Sequence, residues 1–190
     1  MEFSTETTQP DDLTAITHVV KTDIGMRREE NQDSYGVIET PGFKFYLVAD
    51  GMGGVKGGAV ASQLAMAVLT DFLRSRQTIT IEEIVTAVAR ANTAIFEQGI
   101  ETPDLTGMGT TLVGLCFIGR NLYVVNVGDS RAYRIRQGTI TQLTEDHTLV
   151  TELLRSGAIS EAQVENHPVS HMLTRSLGPT PLVEADCRLE

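Results

Sequence analysis

Two stretches of helical period, residues 59–74 and 81–98, interrupt a chain whose other apolar segments are short and β-like, and that order of elements most constrains its fold. The first stretch has apolar residues three and four apart, Leu64, Ala67, Val68, Leu69 and Phe72; the second repeats the pattern with Ile84, Val88, Ala91 and Ile95. Thr80 stands at the start of the second, with Glu83 three residues on, the spacing of a capping box. Ahead of the helices, residues 34–39 and 43–49 (FKFYLVA) predict strands, and the weaker alternation over 15–24 predicts one before them. Behind them, 110–118, 122–127, 132–136 and 139–143 predict short strands turning at Gly119-Arg120-Asn121 and Gln137-Gly138, an antiparallel meander. Residues 148–155 predict a short helix stopping at Gly157, and 158–171 carry no period and predict a surface flap. Strands, then two helices, then strands give an α+β fold, not a doubly wound parallel sheet. The helices cover one face of an antiparallel sheet, and a second antiparallel sheet packs behind.

A chain of 190 residues is long enough for one domain with a sizeable core. Residues 1–14 are polar and predict a disordered tail; residues 15–190 form the domain. The start has neither a basic nor an apolar signal region, and no apolar run reaches membrane-spanning length. Fifteen Lys and Arg against 25 Asp and Glu give a net charge of −10 with no basic block, which argues against a nucleic-acid partner. Cys116 and Cys187 have no metal-ligand spacing and make no disulfide framework, in keeping with a reducing cytoplasm; Cys116 reads as core.

The chemistry-bearing residues sit where strands end. Arg28 precedes Asn31-Gln32-Asp33, with Asp33 entering a strand. Asp50 closes the apolar run 43–49 and is followed by Gly51-Met52-Gly53-Gly54, glycines that let backbone come close to a ligand. Asp129 lies in the turn of Asn126-Val127-Gly128-Asp129-Ser130-Arg131. Oxygen ligands without a Cys/His cluster favour a hard cation, Mg2+ or Mn2+, over zinc. On spacing alone these aspartates read either as a divalent-cation site or as ordinary Asp-Gly and Gly-Asp turns. The glycines after Asp50 lack the Lys-Ser/Thr ending of a nucleotide-binding loop.

In combination the segments are more specific. Arg28-x-x-Asn31-Gln32-Asp33-x-x-Gly36, Val48-Ala49-Asp50-Gly51-Met52-Gly53-Gly54, Gly109-Thr110-Thr111, Asn126 to Arg131, Leu143-Thr144-x-Asp146-His147 and Leu173-Thr174-Arg175-x-Leu177-Gly178 follow the order of the motifs of the protein phosphatase 2C family, and the sequence resembles its bacterial members over residues 16–186. The resemblance implies a metal-dependent serine/threonine protein phosphatase built as two packed antiparallel sheets flanked by helix pairs. It implies that Asp50 bridges two metal ions and the Gly51 carbonyl binds one of them. Asp33 acts on the site directly or through bound water, and Asp129 helps to hold a third, weaker ion. Arg28 grips the substrate phosphate as a fork of donors. Mn2+ or Mg2+ is the implied cofactor, two or three ions to a site. The implied partners are phosphorylated proteins, among them a serine/threonine kinase and its substrates, met by a monomer.

Two departures qualify these expectations. Met52 stands where many eukaryotic members carry a histidine proposed as general acid, and methionine has no proton to give. Nothing after Gly178 matches the Ser-Asp-Gly and Gly-x-Asp-Asn motifs that carry two further metal aspartates, so the last strands and helix of the domain are expected to be missing and the next strand to begin about where the chain stops. A non-catalytic module that binds phosphoproteins or a kinase is therefore the alternative, and a phosphatase acting on an anti-sigma-factor antagonist shares the chemistry with a different substrate. His147 reads as a hydrogen-bonded structural histidine, His167 and His171 as surface residues of the flap, and Arg175 as the partner of a carboxylate.

Overall fold

The computed structural model of the protein describes residues 13–26 and 29–190. Of the expected tail, residues 1–12 lie outside the described residues, and Leu13–Ala15 is a 3-10 turn with Leu13 buried. The expected strand over 15–24 does not form. Val19, Val20 and Ile24 are exposed, and the segment is held by side chains, with Lys44 Nζ donating to the Ile16 carbonyl and His18 facing Glu39. Its alternation buries nothing, so no face fixes a ladder register.

The main sheet is built from β1 (Asp33–Glu39), β2 (Phe43–Met52), β4 (Leu112–Ile118), β5 (Asn121–Val127) and β8 (Asp186–Leu189) in the order β1-β2-β4-β5-β8, every pair antiparallel. The short β3 (Gly109–Thr110) pairs with the end of β2. Two helices, α1 (Gly54–Arg74) and α2 (Ile81–Glu101), cover one face. Along β2 the residues Phe43, Phe45, Leu47 and Ala49 alternate into that core, meeting Leu69 and Leu73 of α1 and Ile84, Val88 and Ile95 of α2. The capping box forms as its spacing requires: the Glu83 amide donates to the Thr80 hydroxyl and the Thr80 amide to the Glu83 carboxylate.

The stretch 51–58 is not a loop along its whole length, since α1 begins at Gly54 and takes Gly57 and Gly58 into its first turns. A Cβ built on Gly51 would lie 2.0 Å from the Gly58 carbonyl oxygen, so these glycines let the helix start directly against the end of β2.

The meander also breaks. β4 and β5 form one hairpin, and β6 (Tyr133–Arg136) with β7 (Thr139–Gln142) another, but β5 does not pair with β6. Gly128 has φ +105° and is buried, so the chain turns out of the sheet there, and the free side of β5 is taken by β8. The β6–β7 hairpin is a separate two-stranded sheet whose strands are largely exposed, anchored to the main sheet through the residues that flank it. Ala132 and Leu143 at its base pack on Val113 and Val124, the sheet face opposite the helices. The result is an α+β sandwich. Strand β8 already begins at Asp186, ahead of the chain end where the next strand is expected.

After β7 come α3 (Leu149–Arg155), N-capped by Thr148, and a single turn α4 (Glu161–Val164) inside the segment read as a flap. Removing a fully buried side chain from the helix face should cost far more than removing a cap. Leu69→Ala is expected to lower unfolding stability by about 2–5 kcal/mol, and Thr80→Ala by about 1 kcal/mol, both read from urea melts of the folded chain.

Candidate active site

Asp33 and Asp50 are opposite each other in the β1–β2 ladder, at the end of the pair nearest α1. Both side chains are exposed, on the sheet face away from the helices. Directly opposed residues in an antiparallel pair have Cβ atoms about 4.5–5.5 Å apart, and like charges so placed repel. A divalent cation held by these carboxylates would offset that repulsion. The donor set is carboxylate and backbone oxygen, which suits a hard cation.

The residues around the pair hold its backbone. The Asp33 amide donates to Asn31 Oδ1 at 3.0 Å, which turns the chain into β1. The Gln32 side chain donates to the Gly54 carbonyl at 2.8 Å, and the Gln32 carbonyl accepts from the Gly51 amide at 3.0 Å and from the hydroxyl of buried Ser62 at 2.7 Å. Asn31 and Gln32 therefore fasten Asp33 to the start of α1. On the other side, the Asp50 amide donates to Thr111 Oγ1 at 2.9 Å, while the Asp50 carbonyl accepts from the Thr111 amide at 2.9 Å and the Thr110 hydroxyl at 3.0 Å. Thr110 is in turn bridged to Leu177 by a reciprocal pair of backbone bonds.

Thr111 also reaches the third aspartate. Its hydroxyl lies 2.7 Å from Ser130 Oγ, in the turn between β5 and β6 that carries Asp129. Asp129 is half-buried and lines a cavity of about 740 Å3, whose other wall is the α3–α4 segment with Val150, Leu154, Glu165 and His171. Arg131 is held out of play by Asp146, which accepts from its Nε at 2.9 and 3.0 Å. Among the described residues no three His, Cys, Asp or Glu side chains converge as a metal-holding group. The structure thus brings Asp33 and Asp50 together and ties Asp129 to them through Thr111 and Ser130 without joining it to the pair.

Of the other sequence-predicted residues, Gly51 follows Asp50 on β2, and Arg28 lies outside the described residues. Met52 ends β2 opposite Gly109 and lines a second cavity with Arg175 and Pro179. Arg175 pairs with Asp186 at 2.9 Å. Burial pushes the Cys116 thiol up to about 12, Cys187 adding to the shift, and burial raises Cys187 as well. Neither is a thiolate near neutral pH. The roles of Thr111 and Ser130 were not legible as chemistry, though both lie inside the quoted motifs.

Two substitutions test this framework. Thr111→Val keeps the shape and removes the hydroxyl, leaving the Asp50 amide without that acceptor; it should cost about 1–3 kcal/mol in a denaturant melt. Gly51→Ala should destabilise the chain and weaken Mn2+ binding measured by calorimetry, because its methyl group meets the Gly58 backbone.

The family profile described as protein phosphatase 2C matches residues 26–173. The serine/threonine phosphatase stp of Listeria welshimeri is 42% identical over 172 residues, which cover 87% of this chain and 68% of the relative. The crystal structure of the serine/threonine phosphatase Stp1 from Staphylococcus aureus superposes with a TM-score of 0.83 at 29% identity, covering 90% of this chain and 69% of that one. The serine/threonine phosphatase PstP/Ppp of Mycobacterium tuberculosis gives a TM-score of 0.78 at 36% identity, over 90% of this chain and 71% of its own. With the paired aspartates at the β1–β2 end and a profile match over most of its length, the chain belongs to the protein phosphatase 2C family.

Proposed function

We propose that the chain is a metal-dependent protein phosphatase that hydrolyses phosphoserine and phosphothreonine, working with Mn2+ or Mg2+ held by Asp33, Asp50, the Gly51 carbonyl and Asp129. The observation that carries the reading is the cross-strand pair Asp33–Asp50, two exposed like charges whose backbones are fixed from both sides by Gln32 and Thr111. Opposed carboxylates on neighbouring strands, with a backbone carbonyl beside them, are an oxygen donor set that would suit a hard divalent cation.

Bound cations in such a site supply Lewis acidity, activating water toward phosphorus and offsetting charge on the phosphoryl oxygens. The protein's own residues do the rest. Asp33 and Asp50 present oxygens on a rigid ladder, so little ordering remains to be done on binding. Arg28, whose guanidinium is always charged, is the proposed fork for the phosphate oxygens. Burial disfavours the thiolate at both Cys116 and Cys187, which supports a route without a cysteine nucleophile. Met52 carries no exchangeable proton and therefore does not serve as general acid.

Phosphorylated proteins are the substrates, and the partners proposed by family likeness are a serine/threonine kinase and the proteins it modifies. The chain is proposed to act as a monomer in the cytoplasm, a reading supported by its two free cysteines. No helix among the described residues is long and apolar enough to cross a membrane. One observation favours a second reading, a non-catalytic module that binds phosphoproteins or a kinase: the described carboxylates do not close into a group of three.

Hydrolysis of p-nitrophenyl phosphate and of a phosphothreonine peptide separates the two. The phosphatase requires turnover with Mn2+ that chelator removes, that iodoacetamide at neutral pH leaves intact, and that Asp50→Asn lowers by roughly 100-fold or more, beyond the usual cost of losing a mere supporting partner. Peptide binding without Mn2+-dependent turnover, in a chain that melts cooperatively, establishes the binding module instead.

A further inference from the structure

His147 is a buried imidazole, 7% exposed, that no step of the proposed reaction uses. Its ring nitrogens face different partners. Nδ1 lies 3.1 Å from the Gly128 amide nitrogen, and Nε2 lies 3.2 Å from Asp186 Oδ2. A backbone amide only donates, so Nδ1 accepts and the ring proton sits on Nε2, where it is donated to Asp186. Asp186 is itself oriented by Arg175, whose Nη1 donates to Oδ1 at 2.9 Å. The His147 amide donates to the Gly128 carbonyl at 3.0 Å, so one residue holds both backbone groups of Gly128.

Gly128 has no freedom on its other side. It stands at φ +105°, and a Cβ there would lie 2.7 Å from Thr111 Cγ2. The Asn126 side chain below it donates from Nδ2 to the Glu145 carbonyl at 2.9 Å and, at a longer 3.4 Å, to the Gly128 carbonyl, so Asn126 shares the hold on that carbonyl, whereas the Gly128 amide is held by His147. The direction in which the chain leaves Gly128 sets where the next residue, Asp129, presents its carboxylate.

We propose that His147, oriented by Asp186 and Arg175, is a positioning residue for Asp129: by gripping the Gly128 amide it aims that carboxylate at the cation. The inference rests on the reading of Asp129 as a metal ligand. Arg175 precedes strand β8 and Asp186 begins it, so the Asp129 turn depends on residues far along the sequence.

Asparagine and glutamine at position 147 divide the functions of the ring. Asparagine carries an acceptor oxygen at the δ position of Nδ1, and glutamine carries its polar atoms one bond further, at the level of Nε2. The full chain bearing His147→Asn, His147→Gln or Asp129→Asn is titrated with Mn2+ by calorimetry, and exchange of the Gly128 amide is followed by NMR. His147→Asn is expected to bind Mn2+ as the parent does, with the Gly128 amide protected. His147→Gln is expected to lose about 10-fold in affinity, matching Asp129→Asn, with the amide exchanging freely. Equal effects of the two His147 variants, or a Gly128 amide indifferent to both, overturn the proposal and leave His147 a space-filling residue. If Asp129→Asn binds Mn2+ at the parent value, Asp129 is no ligand and the positioning role falls with that reading. Should His147→Gln not fold, Asp186→Ala, at a surface position, takes its place: faster Gly128 exchange with weaker Mn2+ binding supports the proposal, and no change in either overturns it.

Discussion

Everything at the candidate site follows from how closely α1 is allowed to start against β2. Gly51 and Gly58 are in backbone contact, and Gln32 reaches across to the Gly54 carbonyl, so the strand end, the helix start and the entry to β1 become one rigid corner. A side chain at either glycine would force the strand end and the helix start apart, since a Cβ would lie 2.0 Å from the Gly58 carbonyl oxygen at Gly51 and 2.7 Å from Gly51 backbone at Gly58. Because the corner is closed by backbone contact and the Gln32 side chain, the backbones of the two aspartates on its outer side are held in place. This is the arrangement a metal site needs, since carboxylates that must first be gathered bind with an entropic penalty.

The inner core and the outer site use opposite faces of the same strands. Phe45, Leu47 and Ala49 point to the helices, and Tyr46, Val48 and Asp50 to the other side. The alternation that buries the apolar set against α1 and α2 therefore places Asp50 outward with no further specification. The β4 residues obey the same rule. Gly114 lies where Phe45 and Leu47 need room, a Cβ there coming within 2.6 Å of the Phe45 ring.

Much of this was legible in the sequence because it depends on local pattern. The period of 3.6 gave both helices, the Thr80–Glu83 spacing gave a cap that the structure forms, and the run 43–49 gave the strand that ends in Asp50. What failed was non-local. The strand expected over 15–24 had alternation but no face to bury, and the expected meander ignored Gly128, whose left-handed backbone takes the chain out of the sheet. Of the site, the Asp33–Asp50 pairing is a register between strands and could be drawn only as likeness to a family. The link from Asp50 through Thr111 to Ser130 joins residues 61 and 19 positions apart, and no local period encodes it. Arg28 lies outside the described residues, and its role stands on the resemblance alone.

Strand β8 pairs with β5 in a register that sets Asp186 opposite Asn126 and Cys187 opposite Val125. Successive residues of a strand face opposite ways, so Asp186 points toward His147 while Cys187 packs into the helix-side core. A slip of one residue would turn the carboxylate into that core and the thiol toward the imidazole, at the cost of burying a charge. The hydrophobic effect acting on Cys187 thus works as a ruler for a polar contact on the other face, and the accuracy of the Asp129 turn is inherited from apolar packing it never touches.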